Sequence, residues 1–266
     1  MVILIKGGAI MTHEEYIREP EGATSAILMV HGILGSPRHF DMIMDLVPED
    51  FAVYAILLPG HGGVLSDFSH SSLALWEKKV GDMIDTLRAR YERIYLAGHS
   101  LGTLLLLDEL FRSDEKVAGV YLMAVPLVPQ VAPTATWHAV PTALGFKARG
   151  KEGPGHAWRA AYSVQPNKNL FKYLTYAPRF IDLFKKIIKV RRGLLTYKGG
   201  DYPVLAVQSY YDELVMRSSG RYLKRCECIR VETLRHSRHF YYPDGDLDLL
   251  RDYFGEIVGC EMKKEN

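Results

Sequence analysis

The pentapeptide Gly98-His99-Ser100-Leu101-Gly102 holds the residues best suited to chemistry in this 266-residue chain. It lies between an apolar run ending at Ala97 and a leucine-rich stretch that begins at Thr103. A serine at such a strand-to-helix junction sits at a strained backbone position and points its hydroxyl out of the sheet, an arrangement known as the nucleophile elbow. Glycines at 98 and 102 fit because strand and helix pass so close that a Cβ would clash. The start of the helix adds unpaired N–H groups and a positive dipole end, where negative charge develops during acyl transfer. A serine hydroxyl needs a base to take its proton, and the base needs an acid to orient it. Two later loops hold candidates. Asp212 and Glu213 follow the apolar run ending at Gln208, and His236 and His239 follow the run ending at Leu234. The order serine, acid, histidine is one in which such triads occur.

The elements that must position these residues alternate. Apolar runs at 25–30, 51–57, 93–97, 117–123, 202–208 and 228–234 predict strands. They lack polar alternation, so they predict a mostly parallel sheet covered on both faces. Residues 1–25 predict a short hairpin start turning at Glu21-Gly22, and Ser36-Pro37 a helix start with Ser36 as N-cap. Leu73, Trp76, Val80, Met83, Ile84 and Leu87 fall on one face of a helix over 71–90. Further helices are expected to about Arg112, over 218–225 and over 246–258.

The stretch 127–200 breaks this rhythm. It is punctuated early by proline and glycine, reads as helical later, and carries thirteen Lys or Arg against only Glu152 and Asp182. With the chain at +2, the remainder stands at about −9. It is expected to be an inserted, mainly helical cap between core halves 1–126 and 201–266, lying over the carboxyl ends of the strands where ligands bind in such sheets. Over 177–192, Phe180, Leu183, Phe184, Ile187 and Ile188 share one helical face while Arg179, Lys185, Lys186, Lys189, Arg191 and Arg192 crowd the rest, a basic amphipathic helix.

At this point the chain resembles the α/β-hydrolase family, and within it the carboxylesterases and monoacylglycerol lipases with a short cap. The matching residues are His31-Gly32-Ile33-Leu34-Gly35-Ser36, Pro59-Gly60-His61-Gly62, Gly98 to Gly102, Asp212-Glu213-Leu214-Val215 and Ser237-Arg238-His239. Tyr210 and Tyr211, and Arg238, stand where the family often carries glycine. The resemblance implies Ser100 as nucleophile, Asp212 as orienting acid and His239 as base, with the backbone N–H groups of Ile33 and Leu101 as the oxyanion hole. His31 and His61 are expected to hold loops. His99, Trp137 and His138, with Trp158 and Tyr162, are candidates for either substrate contact or packing.

The expected function is hydrolysis of small to medium-chain carboxylic esters, monoacylglycerols among them, through an acyl-enzyme on Ser100. Thioesterase, acyltransferase or peptidase chemistry would use the same triad, and a non-catalytic ligand binder is the reading from another class. No cofactor, metal or nucleic acid is expected as a partner, because no corresponding module appears. The basic helix leaves contact with a membrane surface open, and oligomeric state is not fixed. Cys226, Cys228 and Cys260 read as reduced structural thiols, and the compartment expected is the cytoplasm.

Overall fold

A computed structural model describes residues 13–146 and 152–259. Seven strands form one sheet: β1 (Tyr16–Arg18), β2 (Ser25–Val30), β3 (Ala52–Ile56), β4 (Arg93–His99), β5 (Val117–Met123), β6 (Val204–Ser209) and β7 (Arg230–Leu234). Their order is β1-β3-β2-β4-β5-β6-β7. All neighbours run parallel except β1, which pairs antiparallel with β3 at the edge. The expected opening hairpin is therefore replaced. The chain turns at Glu21-Gly22, with Gly22 at φ 75°, but β1 and β2 are separated by β3 rather than paired. Residues 1–12 of that expectation fall outside the described residues.

The strands are buried end to end because each side of the sheet has its own core, and alternate residues go to opposite sides. In β2, Ala26, Leu28 and Val30 join Trp76, Val80, Ile84 and Leu87 of α2 (Leu73–Arg90), which follows the short α1 (Leu65–His70). On the other side Ile27 and Met29 pack with Phe40, Ile43, Leu250 and Phe254. Ser72 caps α2 by accepting from Leu75 N–H at 3.2 Å. Ser36 does not act as a cap. The segment after it makes only 3-10 turns at Pro37–Phe40 and Met44–Leu46, and the Ser36 hydroxyl bonds His13 instead.

Every residue of α3 (Leu101–Leu110) is buried, including Asp108 and Glu109. What covers it is part of the stretch between β5 and β6, which forms α4 (Pro133–Ala143), α5 (Pro154–Ala161), a 3-10 segment Leu170–Tyr176 and α6 (Ala177–Gly193). The face that α6 turns inward is Lys186, Ile187 and Val190, whereas Phe180, Phe184 and Ile188 are exposed. Lys186 thus departs from the expected solvated basic face. Its ammonium reaches Glu77 at 2.7 Å and also pairs with Asp108, which Lys189 meets at 2.8 Å. A buried ammonium persists only when paired in this way.

The chain closes through α7 (Ser218–Leu223) and α8 (Asp244–Val258), the latter ending at Gly259 with φ 73°, a left-handed cap. Cys226 and Cys228 form a disulfide rather than standing as reduced thiols. They lie in the turn before β7 rather than on a strand. Their Cα atoms are therefore 5.4 Å apart, within disulfide range and closer than two strand steps. Cys260 lies outside the described residues. Among the described residues, no helix is long and apolar enough to cross a membrane.

Candidate active site

Ser100 connects β4 directly to α3 at φ 50°, ψ −117°, a strained conformation for a residue with a side chain. Its surroundings leave no alternative. A Cβ on Gly102 would collide with the carbonyl oxygen of Val30, and one on Gly98 would lie 2.9 Å from the Thr103 nitrogen. Ser100 N–H donates to Met123 O at 2.9 Å, and the Thr103 hydroxyl donates to Ser100 O at 2.6 Å, fixing both ends of the turn. The expected close-approach role of both glycines is therefore met by backbone, which cannot move aside.

The acid loop and the histidine loop meet at one pair. His239 Nδ1–H donates to Asp212 at 2.8 Å (Oδ2) and 3.0 Å (Oδ1), with both side chains almost fully buried. Asp212 Oδ1 also accepts from Leu214 and Val215 N–H, each at 2.8 Å, so it holds its own turn as well as the ring. With Nδ1–H turned to Asp212, the lone pair of the neutral ring is on Nε2. Glu213 reaches the backbone instead of the ring. It accepts His239 N–H at 3.1 Å and Arg238 Nη1 at 2.9 Å. His236 is exposed, and its N–H goes to Asp246. The Ser100 hydroxyl makes no hydrogen bond to His239 among the described residues. Catalytic contacts of this kind often tighten only with substrate present. His99, the residue before Ser100, ties the elbow to the histidine loop: its Nε2–H donates to His239 O at 3.2 Å and the rings lie 4.9 Å apart.

Opposite the elbow, the loop after β2 brings Gly32 against Ser100, where an added Cβ would sit 3.0 Å from the serine Cβ. Leu34 takes a left-handed φ of 58°. The Ile33 and Leu101 N–H groups have no protein acceptor among the described residues. This loop is held by buried histidines. His31 donates through Nδ1 to Gly32 O at 2.8 Å and accepts Leu58 N–H at 3.0 Å. His39 accepts Gly32 N–H at 3.3 Å and donates to Ala161 O at 3.2 Å. Burial, reinforced by mutual repulsion, holds His31, His39 and His99 well below the ordinary histidine pKa, and burial brings His61 down to about 4. All four are neutral spacers. Among the described residues, no group of three or more side chains is arranged to hold a metal ion.

The remaining sequence candidates divide. Trp137 is 77% exposed on α4. His138 stacks on Trp158, which meets Phe240 edge-on at 5.0 Å, and Phe240 meets His239 edge-on at 4.5 Å. An aromatic wall therefore runs from the stretch between β5 and β6 to His239. Phe240 and His39 gave no motif signal, because their roles arise from contacts with residues far away in sequence. Ser163 is a third such residue. Its hydroxyl donates to Gly35 O at 2.6 Å and accepts Gly62 N–H at 3.3 Å, tying together two loops 25 residues or more apart in sequence.

Comparison with known proteins agrees with this architecture. LipS and LipT, two metagenome-derived lipolytic enzymes, supply a solved structure that matches with a TM-score of 0.70 at 19% identity, over 94% of this chain and 98% of that one. A monoacylglycerol lipase from Paleococcus ferrophilus matches with a TM-score of 0.63 at 19% identity, over 93% and 100%. The haloalkane dehalogenase DpaA from Paraglaciecola agarilytica NO2 matches at 0.61 and 14% identity, over 92% and 85%. At these identities the likeness is one of fold. No curated protein matches by sequence. The model of the alpha/beta hydrolase family matches residues 27–248, most of the chain, and the protein belongs to that family.

Proposed function

We propose that the protein is a serine hydrolase that cleaves small to medium-chain carboxylic esters, monoacylglycerols among them, through an acyl-enzyme on Ser100. The observation that carries this reading is the buried His239–Asp212 pair, which leaves Nε2 as proton acceptor on a ring packed against the neighbour of a strained serine. His239 takes the Ser100 proton as the hydroxyl attacks the ester carbonyl. Ile33 and Leu101 N–H groups stabilise the oxyanion, and His239 passes the proton to the departing alcohol. Water activated by the same ring then releases the acid. In this reading the stretch 127–200 caps a core of 1–126 and 201–266, and the Trp158–Phe240 wall favours an apolar group on the substrate.

The dehalogenase among the structural matches raises the alternative of halide displacement. Attack by a hydroxyl on an alkyl halide would leave an ether on Ser100 that water does not cleave, so turnover favours acyl chemistry. Labelling by a fluorophosphonate, lost in Ser100→Ala, tests the nucleophile. A rate profile across p-nitrophenyl esters of increasing chain length tests the substrate class. Absence of labelling in the folded wild type would favour the ligand-binding reading instead.

A further inference from the structure

A cavity of about 750 Å³ opens along the acid loop, whose residues 210–213 line it, and does not include Ser100 or His239 in its lining. Its size is that of an ordinary small-molecule site. Three guanidinium groups face it: Arg217 and Arg221, one turn apart at α7, and Arg238 of the histidine loop. Arg217 stacks on the Tyr210 ring at 4.1 Å. Arg221 makes no ion pair with any described residue. The two carboxylates of the lining are already committed. Asp212 is held by His239 and by its own turn, and Glu213 is held by Arg238 and by His239 N–H. Three guanidinium groups therefore face two carboxylates, and with Arg238 paired to Glu213 the excess of one positive charge lies on the side of Arg217 and Arg221. Tyr211 is more than half exposed at the rim and offers a flat apolar surface beside the charges.

We propose that this cavity binds an organic phosphate or carboxylate of small size, its anionic group between Arg217, Arg221 and Arg238 and its apolar body against Tyr211. Guanidinium forks suit both oxyanions because they present paired N–H donors in a plane. The site is linked to the triad by one short path. Arg238 Nη1 and the His239 backbone N–H are bound to the two oxygens of the same carboxylate, that of Glu213. An anion that draws Arg238 away from Glu213 changes the charge that this carboxylate presents to the histidine loop, so occupancy alters hydrolysis. This link rests on the proposed function, whereas binding itself does not.

The test uses the full chain and calorimetric titration with phenyl phosphate, benzoate, inorganic phosphate and phenol. The expected result is binding of phenyl phosphate, of benzoate, or of both, that weakens as salt is raised. It should also fall at least about tenfold in the double variant Arg217→Gln, Arg221→Gln, both exposed positions, with folding checked by circular dichroism. Inorganic phosphate that binds as well as phenyl phosphate would remove the role of Tyr211. Affinity for phenol equal to that for the anions, anion affinity unchanged in the double variant, or no anion binding would overturn the site. The second measurement is p-nitrophenyl butyrate hydrolysis with and without the tighter of the two aromatic anions. A change in kcat or KM in the wild type that disappears in the double variant supports the link through Arg238. Binding with unchanged kinetics would overturn that link. Failure of the esterase reading would appear separately, as no hydrolysis at all with binding intact.

Discussion

The elbow at Ser100 and the stretch 127–200 are held by opposite means. At the elbow the constraint is steric. Backbone atoms of β2 and α3 close on Gly98 and Gly102, and no side chain larger than hydrogen fits. The stretch between β5 and β6 packs Ile187, Val190 and Leu194 into the core and is otherwise held by separate polar ties. Gln130 bonds Asp212 O at 2.7 Å, His39 bonds Ala161 O, Ser163 bonds Gly35 O, and Lys186 bonds Asp108 and Glu77. A close-packed turn has one geometry or none. A segment held by separate hydrogen bonds can lose one and keep the others. The acid loop combines the two, since Asp212 is packed against its own turn while Glu213 supports the adjoining backbone.

That mixture gives the largest expected effect. Asp212→Asn should lower the ester hydrolysis rate by about 10³ to 10⁴, because the ring loses both its fixed tautomer and the carboxylate beside the developing imidazolium. Glu213→Gln keeps a side chain able to accept from His239 N–H and should cost far less, about tenfold. Steady-state rates on p-nitrophenyl butyrate check both, and the reverse order would move the acid to Glu213.

The contrast also accounts for what the sequence revealed. Gly98, Ser100 and Gly102 were legible because the turn puts all three within five residues, although the backbone that excludes a Cβ at Gly102 comes from Val30 on β2. Asp212 and His239 were legible as a pair only through the order of motifs, and the structure brings them within 2.8 Å. Lys186 was misread because its helical position matches Ile187 and Val190 only once a partner helix with a buried Asp108 is known. Cys226 and Cys228 were misread because a strand was extended two residues too early, over the turn that brings them together. His39 and Ser163 left no trace, since each acts by bridging two distant loops.

The histidines between the elbow and the following stretch set the next effect. His31, His39, His61 and His99 are neutral when folded and have lowered pKa values, so below pH 6.5 the unfolded chain binds more protons than the folded one. Stability from these groups is fully present above about pH 6.5 and is lost as pH falls toward 4. His61 alone accounts for about 3 kcal/mol across that interval, at about 1.4 kcal/mol per unit. Asp41, raised to about 6 by burial, works in the opposite sense and offsets about one histidine. Urea denaturation at pH 7.5, 6 and 5 should show a net loss of stability that grows as pH falls, with about 2 kcal/mol of it from His61 by pH 5. A flat profile would mean that the buried rings can charge without cost.

The polar ties can be tested one at a time. Lys186→Met leaves Asp108 buried with Lys189 at 2.8 Å as its nearest remaining cation. The loss should be about 2 kcal/mol, below the roughly 3–5 kcal/mol typical of a fully orphaned buried charge. Lys189→Met, at an exposed position, should cost less than about 1 kcal/mol. Urea midpoints for the two variants check the difference, and equal losses would show that burial of Lys186 adds nothing.

The smallest effect concerns the outward face of α6. Phe180, Phe184 and Ile188 lie exposed on it, and Phe171 and Leu174 are exposed on the 3-10 segment that leads into it. Lys185, Lys189 and Arg192 are exposed on the same helix. An apolar strip bordered by cations suits the surface of an anionic bilayer, with the rings entering the headgroup region and the cations attracted from a distance. Such attraction is screened over about 8 Å at physiological salt. Binding to anionic vesicles should therefore exceed binding to zwitterionic ones, weaken as salt rises, and fall several-fold in Phe184→Ser, because about 1 kcal/mol of apolar contact is removed. Co-sedimentation with the two vesicle types at low and high salt measures this. Equal binding to both, or none to either, would leave α6 as a packed wall of the protein, tied down by Lys186 and facing only water on its other side.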